Sequence, residues 1–273
     1  MPSRRQVGVA GAPLSAHLTT ELAAHGLTRR DAPDTDDRRT LLAFLDGLDV
    51  VVNAGWPSMA LIATAVEAGV ACVDASTDPA FAADALRAFR QAPTPVVVGC
   101  GVETLLGDLA AAVAAEHLGG SCRSVEVHQD GLQAAPRSPS RTIRFPHGVR
   151  EVGETPSALG VLVPRHARGA TVTVTAAART ITDRVRRRDR LTSMVIATAD
   201  DGERAVVAVL GEGREAVAAR LLVTASQAVA GQGAMAPAEA LEPERFLDAV
   251  RGRDERGELE WAFAFPEGSL APE

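Results

Sequence analysis

The segment from residue 48 to residue 109 alternates short apolar strands with helices, and this alternation limits the fold more than any other feature of the chain. Residues 48–54 (LDVVVNA) have the nearly unbroken apolar character of a strand buried on both faces. A turn, Gly55-Trp56-Pro57, and a predicted helix over 58–68 follow, and strands over 70–75 and 95–100 repeat the pattern. Short connections of this kind predict a parallel, doubly wound sheet with helices on both faces.

The N-terminal region adds a first strand over 6–11 (QVGVAG) and a helix over 14–25 that Gly26 ends. Residues 31–39 (DAPDTDDRR) are interpreted as a polar loop that leads into a short helix over 40–47. Only the 21 residues 27–47 separate Gly26 from the strand at Leu48, whereas one strand–helix–strand crossover takes about 30 residues. The sheet is therefore predicted to be shortened by one strand–helix unit.

The pattern changes after Gly120. Alternating segments, typical of half-buried strands, occur at 124–128, 170–177, 192–198, 204–210 and 258–265, and Asp200-Asp201-Gly202 suits a hairpin turn. Helical patterns cover 214–229 and 237–250. The fold class is thus predicted as α/β: a shortened Rossmann-like domain over 1–120, and a second α+β domain with an antiparallel sheet over 121–273.

Composition excludes several classes of function. The net charge of −7 argues against nucleic-acid binding, and no apolar run approaches the roughly 18–20 residues of a membrane span. The apolar part of the N-terminus is too short for a signal peptide, so a cytoplasmic location is expected. The three cysteines lack C-x-x-C spacing, which argues against a zinc site and any other metal centre. The chain has neither lysine nor tyrosine, which excludes Schiff-base chemistry, a Walker lysine and a Tyr-Lys proton relay.

Five segments, in the same order along the chain, resemble motifs of the saccharopine-dehydrogenase-like proteins, in particular the branch that contains trans-acting enoyl reductases. They are residues 51–55 (VVNAG), 67–69 (EAG), 73–81 (VDASTDPAF), 99–109 (GCGVETLLGDL) and 233–239 (GAMAPAE). The resemblance implies a Rossmann domain, NAD(P) as cofactor, and hydride transfer to a small biosynthetic metabolite that could be carrier-bound.

The sequence departs from this family where the cofactor is held. The family's first turn is close to G-A-T-G-x-T-G, and counting back from residues 21–26 places its glycines on Val9, Ala12 and Ser15. A shift of one or two residues recovers Gly8 or Gly11, and Pro13 lacks the amide hydrogen that a phosphate would accept. The strand that carries the ribose-reading acid is also expected to be deleted. These departures argue against retained NAD(P) binding.

Candidate site residues lie at the carboxyl ends of the predicted strands, where open α/β sheets bind ligands. For cofactor binding they are Gly8, Gly11, Asn53, Ala54, Gly55 and Gly101. Asp74, Glu103, His128 and His147 are the candidates for acid–base catalysis, and Trp56, Arg137 and Arg141 for substrate binding. Structural roles compete with each of these, and for Asp74 that role is to cap the following turn and helix.

Three functions stay open on these residues. The first is an NAD(P)-dependent reductase, and the second is a derivative without cofactor that uses the cleft between the domains as a cyclase, isomerase or dehydratase. The third is a non-catalytic partner protein. The arginine-rich residues 184–190 could dock an acidic carrier protein, and an antiparallel sheet could pair with a second copy of the chain.

Overall fold

The computed structural model describes residues 5–11, 15–130, 141–177, 190–254 and 257–264. The chain divides into two compact units: unit 1 is Met1–Val102 with Ala218–Glu242, and unit 2 is Glu103–Val217 with Pro243–Glu273. These units are defined by packing and not by independent folding, so the domain boundary after residue 120 stays a prediction.

The strands and helices of the described residues alternate regularly in the first half of the chain and less so in the second. In chain order they are β1 Gln6–Ala10, α1 Ser15–Ala24, β2 Thr28–Asp31, α2 Arg38–Leu45, β3 Val50–Asn53, α3 Met59–Ala68, β4 Ala71–Asp74, α4 Pro79–Ala88, β5 Pro95–Val98, α5 Val102–His117, β6 Ser124–Asp130, β7 Arg141–Phe145, β8 Gly148–Glu154, α6 Leu159–Leu162 with a 3₁₀ turn Val163–Arg165, β9 Thr171–Ala177, β10 Arg190–Thr198, β11 Arg204–Glu212, α7 Arg214–Ala228, β12 Gly233–Met235, α8 Pro237–Ala240, α9 Pro243–Val250, β13 Gly252–Asp254 and β14 Gly257–Ala264.

Unit 1 is built on a six-stranded parallel sheet with the order β12-β5-β4-β3-β1-β2. The central strands are buried throughout because Val50–Asn53 and Ala71–Asp74 have covered faces on both sides of the sheet. Their carboxyl ends are level, since Ala10 pairs with Asn53 and Asn53 pairs with Asp74. The predicted parallel Rossmann-like sheet is confirmed.

One part of the strand prediction was wrong. Residues 31–39 were interpreted as a loop and the ribose-reading strand as deleted, but Thr28–Asp31 forms β2 and pairs in parallel with β1. This edge strand (TRRD) has no buried residue, so no hydrophobic pattern marks it. The six-stranded sheet lacks the further strand that dinucleotide-binding sheets usually have beside β2. Instead, α2 leads directly to β3, which lies on the other side of β1. The prediction of a shortened sheet is therefore confirmed, with a different strand missing.

Unit 2 contains an eight-stranded sheet with the order β13-β14-β11-β10-β6-β9-β8-β7. Most neighbours are antiparallel, but β6 and β9 are parallel, so the sheet is mixed and not purely antiparallel as predicted. The antiparallel hairpin β7–β8 lies between β6 and β9 in sequence. Its strand β7, Arg141–Phe145, lies in a stretch where the sequence predicted no strand.

The described residues contain neither a membrane-spanning helix nor a metal-binding cluster. None of the helices there is long and apolar enough to cross a membrane. The same residues hold no group of three or more histidine, cysteine, aspartate or glutamate side chains that could bind a metal ion.

Candidate functional site

The sheet of unit 1 reverses its winding direction at β1, since β2 lies on one side of β1 and β3 on the other. Open α/β sheets bind their ligands at such a switch point, outside the carboxyl ends of the strands. Gly11 follows β1 here with φ of 94°, and Gly55 follows β3. A Cβ atom on Gly11 would lie 2.3 Å from Gly55 Cα, so the two turns touch through their backbones. Only glycine fits at this contact.

The end of β1 also corrects the alignment of the glycine turn. The strand ends at Ala10, so the first position of the turn is Gly11 and not Val9. In the pattern G-x-G-x-x-G/A the later two positions are then Pro13 and Ala16. Residues 12–14 lie outside the described residues, and α1 begins at Ser15.

Asp31 ends β2, about 20 residues after Gly11, which is the spacing of the acid that reads a ribose in dinucleotide-binding sheets. Its side chain is 69% exposed, and it accepts a hydrogen bond of 2.6 Å from Arg29 Nε. Asp31 pairs with Val9 in register, one residue before the end of β1. The sequence analysis had placed Asp31 in a solvated loop, although the spacing from Gly11 was a usable signal.

Asn53 holds the turn after β3 in place. Its Nδ2 donates to Asp74 Oδ2 at 2.6 Å and to the Trp56 carbonyl at 3.1 Å. Its Oδ1 accepts from the backbone N–H of Gly55 at 3.3 Å. The turn that contains Ala54, Gly55 and Trp56 is therefore fixed by one buried side chain that also bonds to the neighbouring strand end.

Asp74 is fully buried at the end of β4. Burial raises its pKa to about 6, against the opposing hydrogen bonds from the Ser76 backbone N–H and Asn53. It bonds to the turn that follows β4, whereas the N-cap of α4 is Asp78, which accepts from the Phe81 N–H at 2.6 Å. Asp74 therefore caps the turn after β4, as expected, but Asp78 caps the helix α4 in its place. A catalytic role for Asp74 stays a prediction.

Trp56 is 90% exposed, although its backbone lies in the anchored turn. Ser58, two residues later, is the N-cap of α3 and accepts a hydrogen bond from the Leu61 N–H. Ser58 Oγ also donates to Asp36 Oδ1 at 2.9 Å, which joins the loop after β2 to the turn after β3. The exposed indole is thus attached to a backbone that hydrogen bonds restrain both before and after Trp56.

The two remaining glycine candidates of unit 1 serve different purposes. Gly8 lies within β1, where a Cβ atom would come within 2.7 Å of Phe44 Cζ and 2.4 Å of Leu48 Cδ1. Its missing side chain makes room for α2 and the residues after it. A Cβ on Gly101 would lie 2.7 Å from the Ala75 carbonyl oxygen, so Gly101 allows the turns after β4 and β5 to approach closely.

The other described candidates lie in unit 2. Glu103 is buried in the first turn of α5, where it forms an ion pair with Arg214, and its carbonyl accepts from Gln129 Nε2 at 2.8 Å. Arg141 pairs with Glu126 at 2.8 Å, which leaves it engaged within the protein. Arg137 lies outside the described residues.

His128 is completely buried on β6. Its Nδ1 lies 2.8 Å from Thr175 Oγ1, and its Nε2 lies 3.6 Å from Glu126 Oε2 and has no hydrogen-bond partner among the described residues. Burial, together with the charge of Arg141, lowers the pKa of His128 to about 4. The ring is therefore neutral at physiological pH.

A second cluster forms around Asp130, two residues further along the same face of β6. Asp130 Oδ2 lies 2.7 Å from His147 Nε2 and accepts from Arg150 Nε at 3.2 Å. Burial alone would raise the pKa of Asp130, but the bonds and charges of His147 and Arg150 outweigh it, and the pKa is lowered. His147 Nδ1 faces Thr192 Oγ1 at 3.4 Å. A histidine oriented by a carboxylate in this way is suited to proton transfer.

The predicted site residues thus fall into two sets. Unit 1 gathers Gly11, Asn53, Ala54, Gly55, Trp56, Asp74 and Gly101 along one edge of its sheet. Unit 2 holds Glu103, His128, Arg141 and His147, each bonded to partners of its own unit.

Comparison with known proteins supports the fold. No protein-family model matches the chain, and no curated protein matches its sequence. Among solved structures, saccharopine dehydrogenase (L-Glu forming) from Saccharomyces cerevisiae matches 95% of this chain and 100% of its own, with a TM-score of 0.67 and 11% identity. Dihydrodipicolinate reductase from Paenisporosarcina sp. TG-14, with dipicolinate bound, matches 85% of this chain and 97% of its own at a TM-score of 0.41 and 10% identity. The first match shows that the chain has a saccharopine-dehydrogenase-like Rossmann fold.

Proposed function

We propose that this protein is an oxidoreductase that binds NAD(H) at the switch point of unit 1 and acts on a small biosynthetic metabolite. The observation that carries the proposal is the backbone contact between Gly11 and Gly55, flanked by a strand that ends in Asp31. The dehydrogenase fold of the similar structure supports the oxidoreductase class.

Several residues of unit 1 fit a dinucleotide. Gly11 provides the tight turn after β1, and the ten-residue helix α1 that follows has its positive N-terminal end at this edge of the sheet. The Asp31 carboxylate can accept hydrogen bonds from ribose hydroxyls, and the acidic loop that follows it repels a 2′-phosphate. NAD(H) is therefore favoured over NADP(H). Pro13 provides one amide donor fewer than the usual glycine, which lowers the affinity without removing the site.

When bound, the nicotinamide cofactor supplies the hydride chemistry, and the protein must supply binding, orientation and a proton. Within unit 2, His147 has the geometry of a proton donor or acceptor. Its Nε2 is held by Asp130, and its Nδ1 lies 3.4 Å from Thr192 Oγ1, a hydroxyl that can pass a proton to or from the ring. His128 suits this role less well, because it is completely buried and its pKa is lowered to about 4.

Calorimetric titration with NADH and NADPH tests the proposal. We expect saturable binding of NADH and weaker binding of NADPH to the unmodified protein. Asp31→Asn should weaken NADH binding by roughly 10- to 100-fold, because a hydrogen bond to a charged acceptor contributes about 1.5–3 kcal/mol. Asp34→Asn, which changes an exposed acid of the following loop, is the matched control and should bind as the unmodified protein does.

The opposite result would identify the second candidate function. Pro13, which follows Gly11 by two positions in the sequence and lacks an amide hydrogen, favours a derivative that works without a cofactor as a cyclase, isomerase or dehydratase. Absence of NADH and NADPH binding, together with a change in Tm on addition of a candidate metabolite, would support that function and contradict ours. A change in Tm caused only by a protein partner would support a non-catalytic role.

A further inference from the structure

We propose that Trp56 is the stacking platform for the base of a bound adenosine nucleotide, so that unit 1 recognises the adenosine half of its ligand. The inference rests on the proposed function in placing a nucleotide at this edge of the sheet. It goes further by assigning the base to one side chain and by predicting that adenosine nucleotides without nicotinamide also bind.

The first argument is the way in which Trp56 is presented. Its side chain is 90% exposed, whereas its carbonyl accepts a hydrogen bond from the buried Asn53. Pro57 follows, and then the N-cap Ser58, so the backbone is restrained on both sides of the indole. A tryptophan has only two side-chain torsions, and little entropy is lost when a restrained one stacks on a ligand.

The second argument is its location relative to Asp31. The ends of β2 and β3 flank β1, and they are about 10 Å apart because each strand spacing is about 4.8 Å. The hydrogen bond between Asp36 and Ser58 joins the loop after β2 to the turn after β3. A nucleoside whose ribose hydroxyls bond to Asp31 can therefore place its base against the turn that carries Trp56.

The third argument is the chemistry of the surroundings. Among the described residues, the exposed large hydrophobic side chains are Trp56 and Val149, and Val149 belongs to unit 2. Among the described residues of unit 1, Trp56 is therefore the one exposed large hydrophobic side chain, and these residues form no apolar patch around it of the kind that binds protein partners. A flat aromatic base is the ligand that one isolated indole can cover, since every base has a π-face.

The experiment uses the two tryptophans of the chain, Trp56 and Trp261. In the Trp261→Phe protein the remaining emission comes from Trp56, and this protein is titrated with AMP, ADP-ribose and nicotinamide mononucleotide. We expect AMP and ADP-ribose to quench the emission in a saturable way, and nicotinamide mononucleotide to leave it unchanged. Calorimetry should show that Trp56→Ala binds ADP-ribose roughly 10-fold or more weakly, and that Trp56→Phe lies between it and the unmodified protein. Trp261→Phe is the matched control and should keep the unmodified affinity.

The outcomes separate this inference from the proposed function. NADH binding that is equally tight in Trp56→Ala, with no change in Trp56 emission, would overturn the inference and leave the oxidoreductase proposal standing. Binding of AMP and ADP-ribose through Trp56 without any binding of NADH would support the inference and contradict the proposed function. Failure of both adenosine nucleotides to bind, or quenching only by a protein partner, would overturn the inference. The Tm of Trp56→Ala should equal that of the unmodified protein, because the side chain is exposed.

Discussion

The side-chain amide of Asn53 donates a hydrogen bond of 2.6 Å to the buried carboxyl group of Asp74 on the neighbouring strand. The two residues are paired in register, so this bond joins β3 and β4 at the point where each strand ends. Because Asn53 also bonds to Gly55 and Trp56, the conformation of the candidate nucleotide site depends on a carboxyl group that never contacts solvent.

Asp74 should make the stability of the protein depend on pH. Its pKa is raised from 3.8 to about 6 by burial, so the folded protein holds this proton more tightly than the unfolded chain does. The favourable contribution is complete below about pH 4 and is lost as the pH rises through about 6. Relative to Asp74→Asn, the unmodified protein should lose about 3 kcal/mol of unfolding free energy over this range. Urea unfolding at several pH values measures this loss. A difference in unfolding free energy between the two proteins that does not change with pH would contradict the raised pKa. Asp34→Asn is the exposed control.

His128 should have the opposite effect. Its pKa is lowered from 6.5 to about 4, mainly by burial, so the folded protein binds this proton less tightly than the unfolded chain. The stabilisation is complete above about pH 6.5 and is lost as the pH falls towards 4, which amounts to about 3 kcal/mol. We expect His128→Asn to remove this loss in acid. An NMR titration of the His128 ring measures the pKa directly, and a midpoint near 6.5 would show that the prediction is wrong.

Substitution of Gly11 tests the backbone contact at the switch point. Gly11→Ala combines a left-handed backbone with a Cβ atom placed 2.3 Å from Gly55 Cα. Gly47→Ala is the matched control, because φ there is 72° and no atom lies within 4 Å of the added Cβ. The control should cost about 1 kcal/mol of unfolding free energy, and Gly11→Ala a further 1–3 kcal/mol, roughly, from overpacking. Equal losses in urea unfolding would mean that the two turns do not touch.

Substitutions of Asp130 and of Arg150 in the Asp130 cluster should lower the free energy of unfolding by different amounts. Asp130 accepts hydrogen bonds from both His147 and Arg150, so Asp130→Asn removes the charge that both partners share. Arg150→Met removes one of two partners and also a buried Nη2 atom that has no hydrogen-bond partner among the described residues. We expect Asp130→Asn to lower the unfolding free energy more, by about 3 kcal/mol, as is usual when a partly buried charge pair is broken. A larger loss in Arg150→Met would contradict this assignment.

The sequence was sufficient to predict β3, β4 and β5, because strands buried on both faces have short runs of apolar residues. The same reasoning failed for β2, whose residues Thr28–Asp31 are mostly exposed at the sheet edge. Its pairing is made by backbone groups alone, and these leave no trace in the pattern of side chains.

Position along the chain was enough to nominate candidate residues. Asn53, Gly55 and Gly101 could be selected because they end or follow strands of a parallel sheet. The bond between Asn53 and Asp74 could not, since it depends on the register of two strands. His128 and His147 were both candidates for acid–base catalysis on the sequence. The fold separates them into two clusters, because His147 belongs to the hairpin that joins β7 to β8.

The sheet of unit 1 can be completed only late in synthesis, because its edge strand β12 comes late in the chain. Gly233–Met235 covers the outer edge of β5, although about 130 residues separate the two strands in the chain. While the protein emerges from the ribosome, the backbone edge of β5 is unpaired until residue 235 is available, and such an edge can recruit other chains. A fragment that stops at residue 120 is therefore expected to aggregate. A permuted fragment that carries residues 233–242 ahead of β1 can still pair β12 with the edge of β5 and is expected to aggregate less.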